Sequence, residues 1–265
     1  MGTSLRLGLI PRGGGDGDDR RERELLGALS EAIGQEVTAH HAADYGVVLT
    51  GLRQGLVDFA WLPPLVGARA IKAQTADAVA IAVRNGTATY TSVLVARPES
   101  PIGSVRDLRG ARVAWVDRES AGGYVVLRAA LARSGVRLTE AFAEEIFVRS
   151  HGAVARAVLE GQVDVGATCA HEERGTRRFA RSAYAGDDGL AQDQLRVLFE
   201  AGPIPSDLFA VRRGAPAPVR AALAAGLLGR RPARLFAAAC AFVHTDGFAL
   251  PTPEHARMLA ALIDG

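Results

Sequence analysis

Apolar residues recur four apart in the stretch YGVVLTGLRQGLVDFAW, Tyr45 to Trp61, and again in HGAVARAVLEGQVDVGA, His151 to Ala167. An offset of 106 lays Gly46 on Gly152, Val48 on Val154, Gly55 on Gly161, Val57 on Val163 and Asp58 on Asp164. Val48 with Leu52, and Val154 with Val158, share one face of a helix. Gly55 and Gly161 stand where a helix end takes positive φ, and Val57 to Ala60 and Val163 to Gly166 read as short strands. One helix–strand unit is thus written twice. Asp44 and Ser150 are good N-caps, so Tyr45 and His151 each stand at a helix N-terminus, where backbone amides and the helix dipole favour an anion. Two similar capped helices also occur in ordinary α/β domains, so the rest of the chain has to decide.

The remaining pattern alternates. Ser4 to Ile10 predicts a strand, and Arg12 to Asp19 a glycine-rich surface loop without the Gly-Lys-Ser/Thr ending of a phosphate loop. A helix from Arg20 to Ile33 and a strand from Glu36 to His40 follow; adjacent His40 and His41 would face opposite sides and share no metal. Then come a helix at Leu65 to Ala73, strands at Ala78 to Val83 and Ser92 to Ala96 around an Asn85-Gly86 turn, and a strand at Arg112 to Val116. The turn Asp117 to Tyr124 leads into a helix at Val125 to Arg133, and its small residues after Ser120 let a ligand approach the backbone. A loop through Gly186-Asp187-Asp188-Gly189, strands at Leu195 to Phe199 and Leu208 to Arg212, and helices at Pro216 to Leu228, Ala233 to Ala241 and Pro253 to Ile263 complete the chain. Strands and helices in this alternation predict an α/β architecture with parallel sheets.

Composition narrows the classes. With 265 residues, 48% hydrophobic, 23% charged and a net charge of +2, the chain reads as a soluble globular protein with no nucleic-acid surface. The most apolar run, Leu235 to Val243, is half the length of a membrane span. The N-terminal residues carry no leader pattern, which leaves a cytoplasmic location open beside one reached through a removed leader. Cys169 and Cys240 make no disulfide framework, and His171-Glu172-Glu173-Arg174 lacks the second histidine of a zinc-protease helix. No cofactor and no metal are expected.

Taken together, Asp44-Tyr45 with Gly55-x-Val57-Asp58-x-Ala60-Trp61, Tyr90-x-Ser92-Val93, Ser100-Pro101-Ile102, Asp107-Leu108-x-Gly110, Ser120-x-x-Gly123-Tyr124, Ser150-His151-x-Ala153-Val154, Val163-Asp164-x-Gly166-Ala167-Thr168 and Ile204-Pro205-x-Asp207 resemble the phosphate/phosphite/phosphonate family of periplasmic solute-binding proteins. The resemblance covers nearly the whole chain. It implies a two-lobed, type II periplasmic-binding-protein-like α/β fold with hinge strands, the first lobe from residues 1–90 and 205–265, the second from 91–204. It also implies a monomer outside the inner membrane that delivers a small oxyanion to an ABC permease, without catalysis. Carried over by position, Tyr45 and Tyr90 would give phenol contacts, Ser120 a hydroxyl, Ala121 and Gly122 backbone amides, and His151 a ring N–H. Asp207, or less directly Glu172 or Glu173, would hold the amine of an aminoalkylphosphonate.

One turn departs from the family pattern. Three consecutive hydroxyl residues are usual where this chain has Ser120-Ala121-Gly122, and each lost hydrogen bond to a charged group weakens binding by about 1.5–3 kcal/mol. A smaller, different or more weakly held oxyanion is expected, and Ala121→Thr with Gly122→Ser is expected to tighten phosphonate binding. Two other classes compete: an oxyanion-sensing domain feeding a signalling partner, and a Ser120-His151-Asp207 hydrolase, against which stands the absence of a Gly-x-Ser-x-Gly elbow. Arsenite sensing would need thiolates, and Cys169 alone is a poor basis for it.

Overall fold

The computed structural model describes residues 4–9, 16–172, 179–182, 194–229 and 234–264. Two compact α/β units emerge. The first joins Met1–Ala88 to Pro205–Ile263, and the second is built on Thr89–Ile204. The chain thus changes unit at Ala88–Thr89 and returns at Ile204–Pro205, and Ser206 N–H donates to Ala88 O at 2.8 Å.

The first lobe opens with β1 (Leu5–Leu9), α1 (Asp16–Ile33), β2 (Val37–His41), α2 (Tyr45–Gln54), β3 (Phe59–Leu62), α3 (Pro64–Lys72) and β4 (Ala76–Val83). The second runs through β5 (Thr89–Ala96), β6 (Ala111–Trp115), α4 (Val126–Arg133), α5 (Leu138–Ala141), β7 (Phe142–Phe147), α6 (His151–Leu159), β8 (Val165–Glu172), β9 (Phe179–Ser182) and β10 (Arg196–Pro205). The first lobe is completed by β11 (Leu208–Arg212), α7 (Ala217–Leu228), α8 (Arg234–Val243), β12 (Gly247–Ala249) and α9 (Pro253–Asp264). Its sheet has the order β12-β4-β11-β3-β1-β2, and that of the second lobe β10-β5-β8-β6-β7 with β9 on β8.

The repeat seen in the sequence is larger than one helix and strand. β1 pairs in parallel with β3 through Leu7↔Phe59, and β6 with β8 through Val113↔Val165, partners that again stand 106 apart. Each sheet adds a parallel strand on one side, β2 or β7, and an antiparallel one on the other, β11 or β5. The two sheets are mixed, where alternation alone predicted parallel pairing.

Both faces of each sheet are covered. In the first lobe Leu7, Leu25, Leu29, Phe59 and Phe209 bury one face, and Val48, Leu52, Val57, Leu62 and Val66 the other. In the second, Leu94, Val113, Trp115, Leu127 and Leu131 oppose Val93, Val95, Val154 and Val158. One tryptophan anchors each core: Trp61 packs 5.1 Å from Phe209, and fully buried Trp115 meets Tyr124 and Phe142 edge-on.

Several boundaries differ from expectation. Helix α1 begins at Asp16 rather than Arg20, taking in the end of the predicted loop; residues 12–15 and 186–189 lie outside the described residues. Strands β3 and β8 start two residues late, because Asp58 and Asp164 act as bolts instead. Asp58 Oδ2 accepts from Arg6 N–H at 3.0 Å and Asp164 Oδ2 from Arg112 N–H at 2.8 Å, while Arg212 and Arg112 side chains ion-pair with the same carboxylates. Gly55 and Gly161 hold φ of 73° and 74°, as a helix end requires. β7 has no counterpart in the sequence reading.

Candidate functional site

In open α/β sheets, ligands bind beyond the carboxyl ends of the parallel strands. In the second lobe those ends are the turn after β6, the start of α6 after β7, and the last residues of β8. Tyr90 and Ser92, at the start of antiparallel β5, join them, since Ser92 pairs with Cys169.

Ser120, after β6, caps a wide first turn, Ala121–Val125, with π-type spacing. Its Oγ accepts from Gly123 N–H at 2.9 Å, and Ser92 Oγ donates to the Gly122 carbonyl. Gly122 is pressed against Tyr90: a Cβ there would lie 2.7 Å from Tyr90 Cε2 and 3.2 Å from Cys169 Cβ. The spacing argues against the serine half of the expected Ala121→Thr, Gly122→Ser gain, because a side chain at 122 requires the Tyr90 ring to shift. The short approach of backbone to phenol is what the glycine provides.

His151 opens α6 behind Ser150, whose Oγ accepts from Ala153 N–H at 3.1 Å. The imidazole is oriented from β8. Its Nδ1 lies 2.9 Å from Thr168 Oγ1, and its Nε2 lies 3.9 Å from Cys169 Sγ. Thr168 is completely buried, so its hydroxyl fixes the ring from within the sheet. The Tyr90 ring stands 5.9 Å from His171. Tyr90, the Ser120–Gly122 turn and His151 thus meet around Cys169 in one lobe. Thr168, Ser92 and His171 belong to the same cluster and were missed as contacts; the motif ending at Thr168 was visible, its contact with His151 was not.

The first lobe has a corresponding edge at the carboxyl ends of its own parallel strands. Asp44 Oδ1 accepts from Val47 N–H at 2.9 Å and so starts α2 at Tyr45, which packs on the Val48 and Leu52 face. Asp207 precedes β11 where Leu208 pairs with Leu62, the last residue of β3. Its Oδ2 receives Arg84 Nη2 at 3.1 Å, an ion pair that nothing in the sequence pattern announced. Side chains at Glu172 and Glu173 lie outside the described residues. Among the described residues no group of three or more His, Cys, Asp or Glu could hold a metal, and no helix is long and apolar enough to cross a membrane.

Residues 7–256 match the family described as the periplasmic substrate-binding protein of the phosphonate ABC transporter. The chain belongs to that family. Among curated proteins, the "Phosphate-import protein PhnD" of Mycolicibacterium smegmatis is 30% identical over 153 residues, covering 54% of this chain and 47% of that protein. The chain spans about half the length of the curated relatives it matches. Among solved structures, a Xanthomonas citri protein bound to chloride ion superposes with a TM-score of 0.78 at 22% identity, over 98% of this chain and 95% of that one. PhnD1 from Prochlorococcus marinus, in complex with methylphosphonate, gives a TM-score of 0.72 at 17% identity, over 98% and 96%. The fold is that of the periplasmic binding proteins, and the family is one of transporter binding proteins rather than enzymes.

Proposed function

We propose that this protein captures a phosphonate-, phosphite- or phosphate-like oxyanion outside the inner membrane and hands it to an ABC permease, as a monomer and without chemical change. The anion is held chiefly by the second lobe. The Ser120 hydroxyl, the amides of the Ala121–Gly122 turn, the Tyr90 phenol and the His151 ring N–H surround it, and Tyr45 of the first lobe adds a phenol. The observation that carries this reading is the placement of His151. A ring donor at the N-terminus of α6, oriented by buried Thr168 and set beside a second helix-opening turn, makes two partly positive helix ends converge on one sheet edge. When Thr168 donates to Nδ1, the proton resides on Nε2 and the ring remains a donor while neutral.

Thermal-shift and calorimetric titration with phosphite, phosphate, methylphosphonate and sulfate test it. A phosphorus oxyanion at about 100 times its dissociation constant adds roughly 2.7 kcal/mol of stability. His151→Ala is expected to weaken that ligand by about tenfold or more. No shift with any phosphorus oxyanion, or an unchanged affinity in His151→Ala, overturns the reading.

A further inference from the structure

We propose that Ser92 is a positioning residue for the captured oxyanion, acting through the Gly122–Gly123 peptide to present the Ser120 hydroxyl as a hydrogen donor. This rests on the oxyanion reading above and adds to it a residue that does not itself touch the ligand.

Ser92 lies in β5, opposite Cys169 of β8, and is completely buried. A hydroxyl so placed must direct its hydrogen to a protein acceptor. Its Oγ donates to the Gly122 carbonyl. The other end of the same peptide unit, the Gly123 N–H, donates to Ser120 Oγ at 2.9 Å. One planar group is therefore held from both ends by two serines that belong to different elements.

The consequence falls on Ser120. A serine oxygen carries two lone pairs and one hydrogen. Gly123 N–H engages a lone pair, which leaves the hydrogen for an acceptor at the carboxyl edge of the second lobe's sheet, where half-buried Ser120 stands. A carbonyl that accepts a hydrogen bond makes its own amide N–H a stronger donor, and a hydroxyl oxygen that receives a stronger bond becomes a stronger donor in turn. The run from the Ser92 hydroxyl through the peptide to the Ser120 hydroxyl is thus polarised in one direction, from the buried sheet toward the anion.

The surrounding backbone keeps this run aligned. Ser120 N–H donates to Asp117 O at 3.0 Å, Val125 N–H to Ser120 O at 3.0 Å, and Val116 N–H to Gly123 O at 3.2 Å. Space is equally restricted, since a Cβ on Gly123 would stand 2.8 Å from Ser120 Oγ and collide with the Val116 side chain. Removing the Ser92 hydroxyl takes away the hold of β5 on the Gly122–Gly123 peptide. The plane can then tilt, and Ser120 Oγ loses the donor that orients it.

The test is calorimetry on the full chain with phosphite, phosphate and methylphosphonate, comparing wild type, Ser92→Ala, Ser120→Ala and the double variant. Each single change is expected to weaken the best of these ligands by about tenfold, and the double variant to bind within about twofold of Ser120→Ala, because one serine acts through the other. In the ligand-free protein, Ser92→Ala is expected to move the Gly123 amide proton resonance upfield as its bond to Ser120 loosens. If Ser92→Ala does not fold by circular dichroism, Ser92→Cys, a weaker donor of nearly the same shape, takes its place with the same expected directions. Unchanged affinity in the Ser92 variant, losses that add in the double variant, or an unmoved Gly123 resonance overturns the proposal while leaving the oxyanion reading intact. Failure of wild type to bind any of the three anions overturns both.

Discussion

The imidazole of His151 is gripped through Nδ1 by Thr168, a residue on a different element and entirely out of water. Removing that hydroxyl while keeping the side-chain shape, as in Thr168→Val, leaves Nδ1 without its β8 partner. The ring's 15N NMR tautomer signature is expected to change and oxyanion affinity to fall by about tenfold, with Thr168→Ser restoring both. An unaltered signature would assign Thr168 to packing alone. At Gly122 packing argues against the outcome expected from the family pattern. Gly122→Ser is expected to weaken phosphite or phosphonate binding, because its Cβ enters the space of the Tyr90 ring. Titration calorimetry on that single variant decides, and tighter binding would show that the phenol yields without cost. Neither contact is written in the order of residues. Tyr90 meets Gly122, and Thr168 meets His151, only after β5, β6 and β8 have paired.

At the level of elements, the chain was most readable where a local rule governs a local end. Asp44 and Ser150 cap the helices that the sequence assigned to them, and Gly55 and Gly161 end the same helices at positive φ. Asp44→Ala and Ser150→Ala are each expected to cost about 1 kcal/mol, seen as a lowered melting temperature without loss of fold. Elements defined by tertiary pairing were harder to read. Edge strand β7 exposes Ala143, Glu144 and Glu145, so it lacks the clean alternation that marks a half-buried strand. The starts of β3 and β8 slipped because Val57-Asp58 and Val163-Asp164 look strand-like, whereas their carboxylates reach across to the amides of Arg6 and Arg112. The Arg84–Asp207 pair joins residues 123 apart and left no local trace.

Across the whole molecule, one plan serves twice, and each copy has a carboxylate tuned to resist acid. In the second lobe the Arg112 hydrogen bond to Asp164, aided by its charge, holds that carboxyl below the ordinary value of 3.8. In the first, burial pushes Asp77 upward, and hydrogen bonds and charge from Arg220 and Arg213 outweigh it, so it too lies below 3.8. A depressed folded value means that the stabilisation is present above the unfolded value and is lost as pH falls through the folded one. Asp77→Asn and Asp164→Asn are each expected to flatten the fall of melting temperature below about pH 4, measured by thermal scans across that range. A slope identical to wild type would remove these carboxylates from acid unfolding.

The chain's two tryptophans, one buried in each sheet core, turn this doubled architecture into an optical instrument. Trp61→Phe leaves an emitter that reports the second lobe alone, and Trp115→Phe leaves one that reports the first. Denaturation followed by intrinsic fluorescence in the two variants then assigns a separate midpoint to each half of the polypeptide, and an oxyanion's effect on either half becomes visible without any attached dye.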